Sequence, residues 1–300
     1  MSEDSVAVEV PNMMGLYKKK VEDAIALNLS VLGPKSKLRD ACEYALTCGG
    51  KRFRPILVFM IADALGFGAD TTFAALSVEF FHTASLVADD LPSMDNDDER
   101  RNKPSVHKKF GEAAALLVSY SLIAAGFELI AKNVKVIKKS GLTVSNLSDQ
   151  LCVLALENAS FNTGINGATS GQFVDLAPSD LSVATLREII HKKTSSLFEI
   201  SFVFGWLFGG GDLEKLDLVK QAASHFGMAF QIADDLGDMA QDIKNKRLVN
   251  MANVVGRDAA LQMFHEEHDR FLLRVKELKV DSSGLEELAT LLKDKVEGAG

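Results

Sequence analysis

The run A-A-L-S-V-E-F-F-H-T-A-S-L-V-A-D-D-L-P-S-M-D, residues 74–95, decides how the chain is read. Its apolar residues read as a helix, and Pro92 marks the end of it. Asp89 and Asp90 then project from the C-terminal end, where the helix dipole disfavours further anions. A second run, F-G-M-A-F-Q-I-A-D-D-L-G-D at 226–238, repeats the arrangement of an apolar helical stretch ending in carboxylates. Asp234 and Asp238 are four apart and Asp235 and Asp238 three apart, so all can share one helix surface. Like charges at that spacing cost a bare helix about 0.2–0.5 kcal/mol per pair. A hard divalent cation relieves such repulsion, because magnesium takes oxygen ligands and is shared between one or two carboxylates and substrate phosphates. Two banks of carboxylates behind two apolar helices therefore point to a polyphosphate held between them. Taken alone, the first bank also reads as a solvated acidic loop, since Asn96-Asp97-Asp98-Glu99 continues the acidity.

Working outward, helical patterns cover 12–31, 36–48, 51–65, 71–90, 108–133, 146–160, 182–208, 214–240 and 257–278, with six prolines in the whole chain. Gly-Leu-Thr at 141–143, Asn-Thr-Gly-Ile-Asn-Gly at 162–167 and Gly-Gly-Gly-Asp at 209–212 read as loops. Several helices are apolar on most faces, as expected at the centre of a bundle. The expectation is an all-α fold, with 1–300 as a single large helical bundle. Hydrophobic residues make up 47%, enough for a sizeable core, and a net charge of −8 argues against nucleic acid as a partner. Cys42, Cys48 and Cys152 have no metal-ligand spacing and read as reduced thiols. The first ten residues lack leader character, so the expected location is cytoplasmic. The most apolar stretch, Ala113 to Phe127, is interrupted by Ser119 and Ser121 and reads as a buried helix, not an integral membrane segment.

Cations interleave with the acids. Gly-Gly-Lys-Arg-Phe-Arg-Pro at 49–55 places three positive charges at a glycine-loosened helix start, Arg100 and Arg101 follow the first acidic run, and Lys192 and Lys193 precede Thr194. Arginine offers phosphate a planar, two-bond fork and lysine a compact charge. Any one pair reads as a surface patch; three clusters among two acid banks read as a polyphosphate site.

In order and spacing, G-G-K-R-F-R-P, the stretch from Phe81 to His107, G-Q-F-V-D-L at 171–176, H-K-K-T at 191–194 and the run at 226–238 resemble the trans-isoprenyl diphosphate synthases, from about residue 40 to 260. The resemblance implies the isoprenoid synthase fold, a helical bundle around a central cavity, usually a homodimer, and three magnesium ions per active site. It implies that Asp89, Asp90 and Asp95, and Asp234, Asp235 and Asp238, bind the metal, Asp234 foremost in the second set. It also implies that Lys51, Arg54, His82 and Arg101 hold isopentenyl diphosphate. Arg100, Lys193 and Gln231 would contact the allylic diphosphate, and Thr194 and Gln172 line the reaction centre. His107 and His191 read as ordinary surface residues.

Phe81, Ala84 and Ser85 bear on product length. Ser85 lies one turn below Asp89, and Ala84 five residues below. Related enzymes that stop at fifteen carbons often carry a bulky aromatic at one of these places, so a tunnel here stays open to Phe81, about 12 Å below Asp89 at a helical rise of about 1.5 Å. That favours geranylgeranyl over farnesyl diphosphate, unless Ala84 and Ser85 merely pack against a neighbouring helix. The chain departs from the family pattern after the second bank: Met239 to Gly256 is shorter than the glycine-rich flap that the resemblance implies there. Leu248 stands where a later lysine is expected, with Lys244, Lys246 and Arg247 as substitutes, and Ala88 stands where a histidine is common. Two other readings remain: a non-catalytic subunit that modulates a partner synthase, and a terpene cyclase, which needs no second diphosphate pocket.

Overall fold

The computed structural model describes residues 13–245 and 247–298, so the leader reading of the first ten residues lies outside them. In chain order, α1 is Met13–Asn28, α2 Lys37–Thr47, α3 Phe53–Leu65 and α4 Thr72–Asp89. A short antiparallel pair, β1 Glu99–Arg100 with β2 Lys103–Pro104, follows the first acidic run. Then come α5 Val106–Phe110, α6 Glu112–Lys139, α7 Ser148–Thr163, α8 Ala168–Leu176, α9 Val183–Ile189 and α10 Ser196–Gly209. The chain closes with α11 Leu216–Lys244, α12 Met251–Val255, α13 Arg257–Leu278 and α14 Ser283–Glu297. The all-α expectation holds.

Three features differ from the sequence reading. The pattern at 108–133 breaks at Gly111, whose φ of 90° ends α5 before α6 begins. The pattern at 182–208 is interrupted by a π-helical turn, Ile190–Ser195, between α9 and α10. Helices α8 and α14 were not expected; α14 buries Leu285, Leu288, Ala289 and Val296 on one stripe.

At the centre, α10 buries every residue except Glu199, which accepts from Asn158 at 2.8 Å and Asn162 at 2.9 Å. Around it, α3, α4, α6, α7 and α11 contribute to the main apolar cluster; a smaller cluster joins α9, α11, α12 and α13. Helix α6 is long and apolar enough by length and composition to cross a membrane, a point the shorter reading of 113–127 missed. It lies antiparallel to α4 and is tied to it by side chain–backbone bonds. Asn133 accepts from the Ala74 amide at 3.0 Å, and Ser77 and Ser119 donate to the carbonyls of Gly126 (2.9 Å) and Ala84 (3.0 Å).

Arg52 corrects the reading of three phosphate-facing cations. Its left-handed φ of 57° turns the side chain into the core, where it pairs with Glu22 and the fully buried Glu79 and donates to the Leu46 carbonyl. Removing one partner of a buried pair leaves the other uncompensated, at a cost of about 3–5 kcal/mol. Urea denaturation of Glu79→Ala should show a loss in that range; a loss under about 1 kcal/mol would mean that Glu22 and the carbonyl suffice for Arg52.

Candidate active site

Helix α4 ends as its residues require. After Asp89 the chain turns, and the Asp95 amide donates to the Asp89 carbonyl at 2.9 Å, filling an acceptor that the helix end leaves open. This folds the acidic loop back over the mouth of the bundle and sets Asp95 close to Asp89. Gln172 on α8 donates to Asp95 at 3.4 Å. Burial pushes the Asp89 carboxyl up to about 7, with Asp95 and Asp90 adding to it against the pull of Lys193 and Arg100. Asp90 faces the other way: it is buried and ion-paired with Arg100, which also reaches Asp97 at 3.1 Å. Of the first three aspartates, Asp89 lines the central cavity and Asp90 is held by the hairpin arginine.

The π turn sets the opposite wall. Its extra residue per turn presents Lys193 and Thr194 to the cavity, and the Lys193 backbone lies against Gly171 of α8 so closely that a Cβ there would stand 2.4 Å from the amide nitrogen. Lys193 pairs with Asp175 of α8, and Asp175, Asp89 and Asp95 together hold its ammonium above its ordinary range against the cost of burial. Thr194 donates to Gln231 at 2.8 Å, and Gln231 donates to Asp235 at 2.8 Å. The second oxygen of Asp235 accepts from the Met251 amide at 2.7 Å. Asp235 therefore anchors the start of α12, and burial pushes it up to about 6. Asp238 is exposed and Asp234 half-buried; burial, Asp234 and Asp242 raise Asp238 above the usual carboxylate range.

On the third side, Arg54 stacks over the Phe198 ring at 4.4 Å and contacts His82 Nε2 at 3.3 Å. Among the described residues it has no carboxylate ion pair, and its buried Nε has no hydrogen-bond partner. Burial lowers its pKa to about 10. Burial, then Arg54 and Arg101, push His82 well below its ordinary value, so it stays neutral. Arg101 donates to the Gly49 carbonyl and lies over Gly50, where a Cβ would come within 2.6 Å of its guanidinium carbon. Lys51 lines a neighbouring cavity of about 410 Å³ with Asp234 and Lys295. His107 is buried against Ser105 instead of lying on the surface, and His191 is exposed.

Two cations cover the region where the flap is short. Arg247 reaches Asp97 at 3.2 Å, bridging the segment after α11 to the first acidic hairpin. Lys295, a residue the sequence reading missed, comes from α14 to pair with Asp234 at 2.5 Å. Lys244 has neither contact, Leu248 is exposed, and Lys246 lies outside the described residues.

The central cavity holds about 440 Å³ and runs from Asp89 and Lys193 past Ser85 to Phe81. Ser85 lines it; Ala84 does not, being buried with its carbonyl bonded to Ser119 on α6. The packing alternative thus holds for Ala84 and not for Ser85. Ser119 and Ile123 of α6 and Phe173 of α8, unassigned from sequence, also line it. Ser119 was legible only as a break in an apolar run.

The donor set suits a hard divalent cation: carboxylates crowded enough that burial and mutual repulsion hold Asp89 and Asp238 above their ordinary range. Among the described residues no three such ligands converge into a closed cage. That leaves room for phosphate oxygens as further ligands, the usual manner of magnesium sites. The raised carboxyls also fix a pH dependence. A carboxyl bound more tightly to its proton in the folded state contributes stability fully below its unfolded value, and that stability is lost as pH rises through about 6 for Asp235 and about 7 for Asp89. The metal-free protein should therefore lose melting temperature between about pH 4 and about pH 7, from the unfolded carboxylate value up to the two raised folded ones. Asp89→Asn should flatten that slope, and magnesium added near pH 6 should release protons, read by calorimetry in buffers of different ionisation heat. A melting curve rising across this window, in the wild type, would contradict the assignment.

The polyprenyl synthetase family model matches residues 35–253. The chain is 34% identical over 235 residues to a farnesyl diphosphate synthase of Geobacillus stearothermophilus, covering 77% of this chain and 76% of that protein. It is 34% identical over 246 residues to a heterodimeric geranylgeranyl pyrophosphate synthase large subunit of Arabidopsis thaliana, covering 80% of this chain and 60% of that longer protein. Its fold superposes on a geranyltransferase of Legionella pneumophila with a TM-score of 0.81 at 28% identity, over 94% of this chain and 96% of that one. With the carboxylate banks, the facing cations and the apolar cavity in the places described, the chain belongs to the polyprenyl synthetase family, the trans-isoprenyl diphosphate synthases.

Proposed function

We propose that this prenyltransferase condenses isopentenyl diphosphate with an allylic diphosphate and releases geranylgeranyl diphosphate. The observation that carries the reading is the apolar cavity that leaves Asp89, passes the small Ser85 and ends at Phe81. A bulky group at Ser85 would close it one turn below the mouth, the depth suited to a shorter product.

Magnesium held by Asp89, Asp95, Asp234 and Asp238 would offset charge on the allylic diphosphate and favour its departure. The chain's own residues account for the rest. Lys193 and Arg100 bind and orient the allylic diphosphate. Arg54, which has a buried donor unspent, takes the second diphosphate with Lys51, Arg101 and neutral His82. Gln172 Oε1 is buried without a partner, and it turns the negative end of its dipole, with the Thr194 hydroxyl oxygen, toward the carbon that loses diphosphate. The double bond of isopentenyl diphosphate forms the new carbon–carbon bond to that carbon. The proton lost from the adjacent carbon passes to the departed diphosphate. Apolar walls exclude water, which would otherwise capture the allylic cation.

The unpaired Arg54 supports a second diphosphate pocket and speaks against a cyclase, since buried cations are ordinarily paired. The intact carboxylates speak against a purely modulatory subunit. A homodimer is supported by the exposed Leu117 and Tyr120 of α6 beside Val153 and Leu156 of α7, an apolar face with no cover in one chain.

Purified protein given magnesium, labelled isopentenyl diphosphate and dimethylallyl, geranyl or farnesyl diphosphate should accumulate a twenty-carbon diphosphate. Ser85→Phe should move the end point to fifteen carbons. A fifteen-carbon end point in the wild type would overturn the product assignment, and turnover without isopentenyl diphosphate would favour the cyclase. Arg54→Ala should raise KM for isopentenyl diphosphate by about 10- to 100-fold, the worth of a charged hydrogen bond, with the allylic KM little changed.

A further inference from the structure

The floor of the cavity sits where it does because one side chain is absent behind it. The Phe81 ring meets Phe127 edge to face, with centroids 5.0 Å apart and planes at 65°. Behind the ring lies the buried Gly126 of α6. A Cβ on Gly126 would stand 2.6 Å from Phe81 Cε1, 2.9 Å from Cδ1 and 3.0 Å from Cζ, inside any contact that carbon atoms tolerate. Parting of the helices is resisted, because Ser77 is bonded to the Gly126 carbonyl itself and Ser119 to the Ala84 carbonyl nearer the mouth. Phe127 blocks the ring on another side. A third side borders the cavity, which Phe81 lines.

We propose that Gly126 sets the depth of the cavity by letting the Phe81 ring lie back into the groove between α4 and α6, and so acts as a positioning residue for product length. It touches no reacting atom; its influence passes through the ring. The inference rests on the elongation reading above. A methyl at Gly126 drives the ring upward by about 1 Å, the shortfall from ordinary carbon contact. The last isoprene unit then meets the floor early, while the first condensation, completed nearer Asp89, is unaffected.

The test is a double-mutant cycle of Gly126→Ala and Phe81→Ala, read as product length and not as overall rate. Gly126→Ala should lower the ratio of twenty- to fifteen-carbon product about tenfold, the scale of overpacking a filled site, with kcat/KM for the shortest primer within about threefold of wild type. Phe81→Ala should extend the product, and adding Gly126→Ala to it should change nothing further. If Gly126→Ala shortens the product equally in the Phe81→Ala background, the methyl acts by itself and the proposal is wrong. An unchanged product ratio in Gly126→Ala also overturns it. Should Gly126→Ala fail to fold, the comparison of the double variant with Phe81→Ala decides the same question. Calorimetric binding of non-reacting allylic thiodiphosphates of ten, fifteen and twenty carbons separates this inference from the reading beneath it. A wild type that elongates nothing defeats the reading. Loss of affinity in Gly126→Ala confined to the longest analogue upholds the floor, and equal loss for all three overturns it.

Discussion

The register between α4 and α6 is the constraint on which the rest of the molecule depends. Three bonds set it: the Ala74 amide to Asn133, Ser77 to the Gly126 carbonyl and Ser119 to the Ala84 carbonyl. Each joins a buried side chain to backbone of the other helix, the Ala74 amide being one that the first turn of α4 leaves open, so each fixes a level and not merely a contact. Along α4 those levels carry Glu79, Phe81, His82, Ser85 and Asp89 in turn. A slide by one turn, about 5.4 Å, would set Phe81 against another level of α6 and lift the carboxylate from the mouth. Depth and chemistry are thus measured along one ruler.

Charge is handled in two ways. Arg52 with Glu79, and Asp235 with Gln231 and the Met251 amide, are saturated and hold helices in place. Asp89, Arg54, His82 and Gln172 are left with burial uncompensated: a carboxyl raised to about 7, a guanidinium lowered to about 10, an imidazole without a partner at Nδ1 and an amide oxygen without a donor. Such groups cost stability in the empty protein, and they converge on one cavity. The same two motifs supply both kinds. In G-G-K-R-F-R-P, Arg52 turns inward while Arg54 faces the cavity; in D-D-L-P-S-M-D, Asp90 is tied and Asp89 is not.

That division explains how far the sequence could be read. The helices were legible because apolar periods of full length and proline punctuation leave few alternatives, as at Pro92, whereas the break at Gly111 was read through. The aspartate banks were legible as anomalies, carboxylates where a core should continue. Illegible was the role of each member within a bank, since the left-handed backbone at Arg52 and the return of the loop from Asp95 to Asp89 depend on contacts distant in sequence. Helix α8 was hidden by its nine residues and by the glycine-rich approach to it, and with it Asp175, the partner of Lys193. The π turn left no trace in the apolar period, because adding one residue to a helix apolar on most sides disturbs no pattern.

The missing lysine after the second bank shows the limit of position-by-position reading most clearly. Leu248 stands in its place and is exposed, so the sequence alone suggests a deficit of positive charge at the mouth. In space there is none. Arg247, one residue earlier, crosses to Asp97, and Lys295, sixty-one residues beyond Asp234, returns on α14 to pair with it. What the site requires is positive charge beside carboxylates held out of water, and Coulomb attraction is indifferent to which segment delivers it. A helix that packs Leu285, Leu288 and Ala289 into the core can deliver that charge as well as a loop can, and it does so from a rigid base. The acidic mouth therefore receives its positive charge from two places, Arg247 in the short segment that follows the aspartates and Lys295 on the helix packed at the far end of the fold.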